Sequence, residues 1–453
     1  MQNETKTNKA AESITLTPTW KNLMKFAFPT ILSTIIMSTF GVVDGIFVSR
    51  LIEPIALAAT SVVFPFLGFA LAIGLMLGVG GNALIAKKIG EGKDIEARQN
   101  FSLISLVGFI TSVIIVAVGI IFPDLILDIL GVDDFIRPMA HDYLRPLLWF
   151  LPVAILGMMF QQFFITVGKA HYGAITALIG GLVSAGLNYV FIRILDMGIL
   201  GAALATSIGF TLPAILGIVY FSIARRGRLY FVFPKLDFRA LGRTCVNGAS
   251  EMLGMLAVSI TTVLMNNVLL DLGGAEAQAA AAVMFTGMGI FTSLFMGYAS
   301  GVAPIISYNY GKNDTDNLKR AYKNSLFIIG ILSVLGVLMA IPSTNLLISI
   351  FDIPKGTNMH DMASTAFRFI VASFVFMGFN TFGSMFFTAL NNGIVSSIIS
   401  LMRTLVFVFV AFLTLPVIFG LTGAWAAFPA AEVMAIFVTV FFFVKMKKKY
   451  GYA

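Results

Sequence analysis

The sequence predicts an all-α polytopic membrane protein, with 12 transmembrane helices in two six-helix lobes related by a pseudo-two-fold axis along the membrane normal. Three observations predict this fold class. The chain is 58% hydrophobic and only 11% charged, whereas soluble domains are about 25% charged. Its apolar runs are long enough to cross a hydrocarbon core of about 30 Å. Its second half also repeats sequence patterns of the first.

The first 25 residues are polar and basic, and the apolar run 26–49 is longer than a signal-peptide core and lacks a small-residue cleavage site. We therefore interpret this run as a retained first span. At about 1.5 Å per residue it reaches roughly 36 Å, enough to cross the bilayer. Uninterrupted runs of this kind exclude a transmembrane β-barrel. The predicted spans are 26–49, 55–79, 101–122, 143–168, 172–194, 198–224, 244–272, 279–306, 325–351, 366–390, 394–415 and 420–444.

Lysine and arginine are distributed unevenly across the predicted membrane. Of these 30 residues, 23 fall on the side of the amino terminus and six on the other, with Arg403 inside a span. The positive-inside rule therefore places both termini in the cytoplasm. The basic end KMKKKYGYA is interpreted as a topology anchor near anionic lipid, so the net charge of +8 requires no nucleic-acid partner.

An internal repeat divides the chain. A shift of 221 residues places EPIALAATSVVF (53–64) on GAEAQAAAAVMF (274–285) and GGNALIAKKIGEGKD (80–94) on GVAPIISYNYGKNDT (301–315); a shift of 222 places GILGAALA (198–205) on GLTGAWAA (420–427). Six spans separate equivalent positions, so the halves share one orientation. We predict an N-lobe over 1–224, a cytoplasmic linker over 225–243 and a C-lobe over 244–453. Two facing lobes leave the cleft that alternating-access transporters use.

Cofactor signals are missing from the sequence. Cys245 is the single cysteine, and His141, His171 and His360 show no metal-ligand spacing. The polar segments 86–100 and 307–321 contain no GxxxxGK[ST] phosphate cradle, so we expect no nucleotide partner. We expect these segments to form amphipathic helices at the membrane surface.

The pattern FPTILSTIIMSTFGVVDGIFVSRL...ALAATSVVFPF, with GAALAT in the sixth span and GVAPIISYNYG after the eighth, resembles the multidrug and toxic compound extrusion (MATE) family over nearly the whole chain. The start of span seven, NGASEMLG, is most similar to the family's bacterial MepA-like branch. The resemblance implies an exporter of bulky, often cationic organic compounds in the bacterial cytoplasmic membrane, coupled to H+ or Na+. We expect a monomer that is not an enzyme.

Asp44 is the first of four ionisable residues well inside the spans, where a charge costs about 2.5–3.5 kcal/mol. It lies 18 residues into span one, in the outer half of the bilayer, and desolvation there favours the neutral acid. The resemblance assigns this aspartate to cation coupling. A permanently protonated structural acid is the alternative.

The resemblance extends the coupling site to Ser184, Asn188 and Thr206. Asn188 stands where the family commonly carries a second acid. One carboxylate with neutral oxygens can bind a proton, but it binds a monovalent cation more weakly than two acids would, so we favour H+ over Na+. Ser184 and Thr206 could instead bond carbonyls of their own helices.

Glu251, Arg403 and Glu432 are predicted to share a layer roughly 10–20 Å from the cytoplasmic edge. An arginine in contact with two acids would stabilise all three in the membrane and leave one negative charge for a cation. A purely structural ion pair is the alternative. Bulky, adaptable side chains are candidates for the substrate cavity, although most such residues pack cores or face lipid: Met37, Phe40, Met265, Phe285, Met288 and Met296.

These observations predict a secondary antiporter, in which protonation and substrate binding stabilise different arrangements of the lobes. The alternative is a flippase or exporter of a lipid-linked or natural-product substrate, which would be expected to carry more basic cavity residues than Arg403. No Ser/His/Asp set at a common depth indicates an enzyme. No filter-like loop indicates a channel.

Overall fold

The computed structural model describes residues 15–52, 54–223, 227–351 and 353–453, without the side chains of 41–51, 54–58, 61, 275 and 350. Regular structure in these ranges is entirely helical. The long helices are α1 (Trp20–Leu51), α2 (Pro54–Gly90), α3 (Asp94–Ile121), α4 (Arg137–Thr166), α5 (Ala170–Ile194), α6 (Gly198–Ile223), α7 (Phe238–Gly274), α8 (Glu276–Gly311), α9 (Thr315–Ile350), α10 (Asn358–Ala389), α11 (393–419) and α12 (421–450). A short helix, Pro123–Ile129, lies between α3 and α4. Among the described residues, eleven helices are long and apolar enough to span a membrane, and the kink at Gly420 divides the last of them into α11 and α12. The predicted fold of twelve membrane helices is therefore confirmed.

Left-handed backbone positions recur in the same order in both halves of the chain. Gly198 (φ 54°) and Gly420 (φ 59°) open the sixth helix of each half, and they are related by the 222-residue shift. Gly92 (φ 74°) and Asn313 (φ 58°) are related by the 221-residue shift. Glycine adopts this conformation without a Cβ penalty, and asparagine tolerates it. The sequence repeat is therefore also a repeat of backbone conformation.

The lobes meet tightly on the side of the membrane where α1 begins and α12 ends, called here the terminal side. A Cβ on Gly90 of α2 would overlap the carbonyl oxygen of Tyr308 on α8, and a Cβ on Gly311 of α8 would overlap that of Lys87 on α2. The 221-residue shift exchanges these two contacts, so the closure is pseudo-symmetric. Glycine lets the two backbones approach to van der Waals distance.

Helix α1 also packs closely against the opposite lobe. Gly301 and Gly297, one turn apart on α8, lie against Ala27 and Ile31 of α1, where a Cβ would overlap the α1 backbone. The Thr34 hydroxyl donates a 2.7 Å hydrogen bond to the Ser293 carbonyl oxygen. The first helix is therefore fixed to the C-lobe as well as to its own lobe.

The chain between the lobes packs on the N-lobe. Arg98 of α3 donates from Nε to the Arg228 carbonyl oxygen at 3.0 Å and from Nη1 to the Tyr230 hydroxyl at 2.9 Å. The Ser102 hydroxyl accepts from the Val232 amide at 2.9 Å. Helix α7 begins at Phe238, inside the predicted linker of 225–243.

The expected amphipathic helices at 86–100 and 307–321 are wrong. Helices α2 and α8 continue to Gly90 and Gly311, and three-residue turns lead directly into α3 and α9. Asp314 ends the second turn by accepting a 3.1 Å hydrogen bond from the Asn317 amide, which caps α9. The polar residues therefore belong to the ends of the spans.

The described carboxyl end folds back into the C-lobe. Tyr452 is fully buried, and its hydroxyl donates a 2.9 Å hydrogen bond to the Phe443 carbonyl oxygen. Its ring lies 4.9 Å from the rings of Tyr322 on α9 and Phe386 on α10, measured between centroids. This contact fixes the end of α12 to the neighbouring helices.

Candidate functional site

A cavity of about 610 Å³ lies within the C-lobe, between α7, α8, α11 and α12. This volume falls in the range of small-molecule sites, about 300–1,000 Å³. Most of its wall is apolar or hydroxylated. Its charged lining residues are Arg403 and Glu432, and its larger apolar lining residues are Val258, Phe285, Met288, Met296, Val408 and Phe428.

Arg403 and Glu432 form a buried ion pair at the wall of this cavity. Arg403 Nε donates to Glu432 Oε1 at 2.8 Å, and Arg403 Nη1 donates to the Thr381 hydroxyl at 2.7 Å. The two side chains are 13% and 7% exposed. Arg403 sits in a π-helical turn of α11, Met402–Val406, a distortion that is frequent at functional sites.

Two residues that the sequence reasoning missed complete this network. The Asn380 side-chain amide donates to Glu432 Oε2 at 2.7 Å and to the Glu432 carbonyl oxygen at 3.0 Å. The Thr439 hydroxyl donates to Asn380 Oδ1 at 2.8 Å, which fixes the orientation of the amide. The adjacent polar pair Asn380 and Thr381 inside the apolar span ten was the available signal.

Contrary to the prediction, Glu251 does not join the ion pair. It is buried on α7, but among the described residues it forms no ion pair within 4.0 Å and no hydrogen bond. The guanidinium of Arg403 is held instead by Glu432 and Thr381, on the α10 and α12 side. The predicted three-residue contact is therefore a pair, and Glu251 interacts with Arg403 only electrostatically, at longer range.

The six predicted cavity residues separate into two groups. Phe285, Met288 and Met296 line the C-lobe cavity. The other three lie elsewhere: Met265 is 1% exposed in the core, Phe40 packs its ring on Gly181 of α5, and Met37 is half-buried on α1.

The predicted coupling residues of the N-lobe lie on helices that pack together. Asp44 lies on α1, but its side chain falls outside the described residues. Ser184 and Asn188 are buried on α5, and Ser184 packs on Gly209 of α6. Thr206 is half-buried, one turn from Gly209 on α6.

The register of these helices can be compared through Phe40. Its contact with Gly181 joins α1 to α5. The next turn away from the terminal side carries position 44 on α1 and Ser184 on α5. Because α6 runs in the opposite direction, Thr206 lies one turn farther from the terminal side than Gly209. All these positions therefore lie within about a helical turn of one depth.

The family model MatE matches residues 29–190 and 251–413, one segment in each lobe. The chain is 25% identical over 428 residues to the multidrug export protein MepA of Staphylococcus aureus strain MRSA252, with 92% of each chain covered. It is 24% identical over 436 residues to MepA of Staphylococcus haemolyticus strain JCSC1435, covering 95% of this chain and 94% of that protein.

Solved structures share the fold over nearly the whole chain. A crystal structure of MATE in complex with MaD3S superposes with a TM-score of 0.90 at 21% identity, covering 97% of this chain and 98% of that one. An outward-facing multidrug resistance MATE transporter of the MOP superfamily gives a TM-score of 0.90 at 20% identity, with the same coverage. With its repeated six-helix lobes and its matches in both halves, the chain is a member of the MatE family, a family of membrane transporters and not of enzymes.

Proposed function

We propose that this protein exports bulky, often cationic organic compounds across the cytoplasmic membrane in exchange for H+, with both termini in the cytoplasm. The similarity to MepA over 92% of each chain supports multidrug export. The excess of lysine and arginine on the terminal side supports the orientation. The N-lobe of 1–224, the linker of 225–243 and the C-lobe of 244–453 are the corresponding units.

The observation that carries the proposal is a wide apolar cavity in a two-lobed body whose lobes pack closely on the terminal side, where glycines lie against backbone. The glycine contacts can separate without breaking a side-chain bond, because they consist of backbone against glycine. Few side-chain contacts accompany them, such as the 3.4 Å hydrogen bond from Asn391 to the Ala83 carbonyl oxygen and the stacking of Lys87 on the Tyr310 ring. Separation of Gly90 from Tyr308 and of Gly311 from Lys87 would open the cleft to the cytoplasm. Alternating access then needs mainly a rigid-body movement of the lobes.

Asp44 is the proposed coupling residue, with Ser184, Asn188 and Thr206 around it. The contact of Phe40 with Gly181 supports this assignment, because it places α1 against the α5 segment that carries the buried Ser184 and Asn188. An acid among neutral oxygens changes charge when it takes a proton, and the two charge states favour different hydration of the cleft. Proton entry would thereby drive substrate exit by linkage.

Transport by purified protein in liposomes tests the function and the ion together. A fluorescent cationic dye should move against its gradient when a pH gradient is imposed, and a Na+ gradient at equal pH should have little effect. Movement driven by Na+ alone would overturn the proton assignment. No dye movement under either gradient, with flipping of a labelled lipid instead, would favour the flippase alternative.

Replacing the acid by its neutral isostere tests the coupling residue. Asp44→Asn should abolish gradient-driven dye export, because position 44 then carries no titratable group, while the melting temperature stays near that of the wild type. Asp271→Asn, on α7, is a matched control that removes an acid from an exposed position. Full proton-driven export by Asp44→Asn would refute the assignment.

A further inference from the structure

The hydroxyl groups that line the C-lobe cavity donate their hydrogens elsewhere. Thr261, Thr262 and Thr404 donate to carbonyl oxygens four residues earlier, at 2.8–2.9 Å. Ser293 donates to the Ile290 carbonyl oxygen at 2.6 Å, and Thr292 donates to the sulfur of Met377 at 3.2 Å. These groups therefore offer lone pairs to the cavity, and a ligand finds acceptors there.

The carboxylate of Glu432 is also engaged. Its Oε1 accepts from Arg403, and its Oε2 accepts from Asn380, whose amide is in turn fixed by Thr439. Glu251 is not a lining residue of this cavity. A positively charged ligand group in the cavity would therefore compete with Arg403 for the acid that the cavity wall presents.

Arg403 is the lining residue that keeps donors for a ligand. Its Nε and Nη1 are bonded to Glu432 and Thr381. Its Nη2 has no hydrogen-bond partner among the described residues. This nitrogen is also not among the described polar atoms that are fully buried without a partner, so it remains accessible. The side chain lines the cavity, so this edge of the guanidinium is open to it.

We propose that Arg403 makes the C-lobe cavity a binding site for amphipathic organic anions, with a ligand carboxylate on Nη2 and the apolar body against Phe285, Met288 and Phe428. The ion pair with Glu432 is neutral as a whole, and Glu251, which interacts electrostatically with Arg403, lies outside the cavity wall. The ligand therefore adds one charge beside an arginine already held in position. Charge-assisted hydrogen bonds of this kind are roughly twice as strong as neutral ones. The inference rests on the proposed function and extends the transported compounds to those bearing a carboxylate.

Two probes of equal shape test the proposal in the purified full-length protein. Dansyl-phenylalanine carries a carboxylate, and its carboxamide is neutral; dansyl fluorescence reports the binding of both. A charged hydrogen bond predicts about tenfold to hundredfold tighter binding of the acid. The double variant Arg403→Gln/Glu432→Gln keeps two hydrogen-bonding side chains in place, and it should lose this preference while still binding the carboxamide.

The exposed Lys355 supplies the matched control, because Lys355→Gln removes a positive charge from the same lobe outside the cavity and should leave the preference unchanged. Equal binding of acid and carboxamide by the wild type would overturn the proposal, and so would a preference that persists in the double variant. The cationic-dye assay is scored separately. If the wild type prefers the acid but does not export the dye, the proposed function alone is refuted. If the wild type exports the dye but binds acid and carboxamide equally, this inference alone is refuted.

Discussion

Truncation of Arg403 provides a test of how strongly the buried ion pair supports the C-lobe. In Arg403→Leu, Glu432 loses the 2.8 Å bond to Nε, and the Thr381 hydroxyl loses its donor at 2.7 Å. Asn380 alone would then stabilise the carboxylate of a side chain that is 7% exposed. Breaking a buried pair in this way costs about 3–5 kcal/mol, because the remaining charge is buried without compensation.

The expected change is large enough for a thermal assay. For a unit the size of one lobe, about 1 kcal/mol shifts the melting temperature by about 2–4 °C, so Arg403→Leu should melt about 6–20 °C lower. Thermal unfolding in detergent, followed by size-exclusion chromatography of the surviving protein, measures this shift. The yield of folded protein on expression should fall with it.

The double variant Arg403→Leu/Glu432→Leu separates the cost of a lone charge from the value of the pair. Replacing a whole buried pair by apolar residues of similar volume is often neutral or stabilising. The double variant should therefore recover most of the lost melting temperature. If the single variant melts within about 1 °C of the wild type, the pair is not desolvated as the structure indicates, and the reasoning fails.

Two further predictions concern contacts outside the cavity. Gly311→Ala places a Cβ against the Lys87 carbonyl oxygen, so it should hold the terminal side open and reduce transport. Gly242→Ala is the control, because a Cβ there meets no atom within 4 Å. Distances between spin labels at positions 93 and 313, in a Cys245→Ser background, measure the opening, and equal distances in both variants would contradict the prediction. Tyr452→Phe removes the bond to the Phe443 carbonyl oxygen and should cost about 1 kcal/mol, and Tyr452→Ala should cost about 3–5 kcal/mol. Thermal unfolding checks both, and an unchanged Tyr452→Ala would show that the tail does not support the C-lobe.

The spans and their repeat could be predicted because both depend on regular physical signals. Hydrocarbon thickness sets the length of an apolar run, and duplicated helices keep their small residues at equal spacing. Helical rise alone placed Arg403 and Glu432 at similar depth, and they do meet. Glycine positions such as Gly198 and Gly420 marked the helix starts in both halves.

Side-chain partners could not be predicted in the same way, because depth does not determine which face of a helix meets its neighbour. Glu251 lies near the depth of the pair, but Arg403 is directed toward Thr381 and Glu432. Asn380 and its neighbour Thr381 form a polar pair in an apolar span, but uncharged side chains do not indicate which residue they bind. The turns at 91–93 and 312–314 were misjudged because polar composition alone does not distinguish an interfacial helix from the end of a span.

The attachment of residues 228–232 to α3 determines where the chain can be cut. Because Arg98 and Ser102 hold this strap against the first six helices, the covalent tether between the halves is reduced to the few residues before Phe238. Phe233 in that stretch is 93% exposed. A gene split after Phe233 should therefore yield a first polypeptide that keeps residues 228–232 bound to α3 and a second that keeps the start of α7. The two should reassemble when they are produced together.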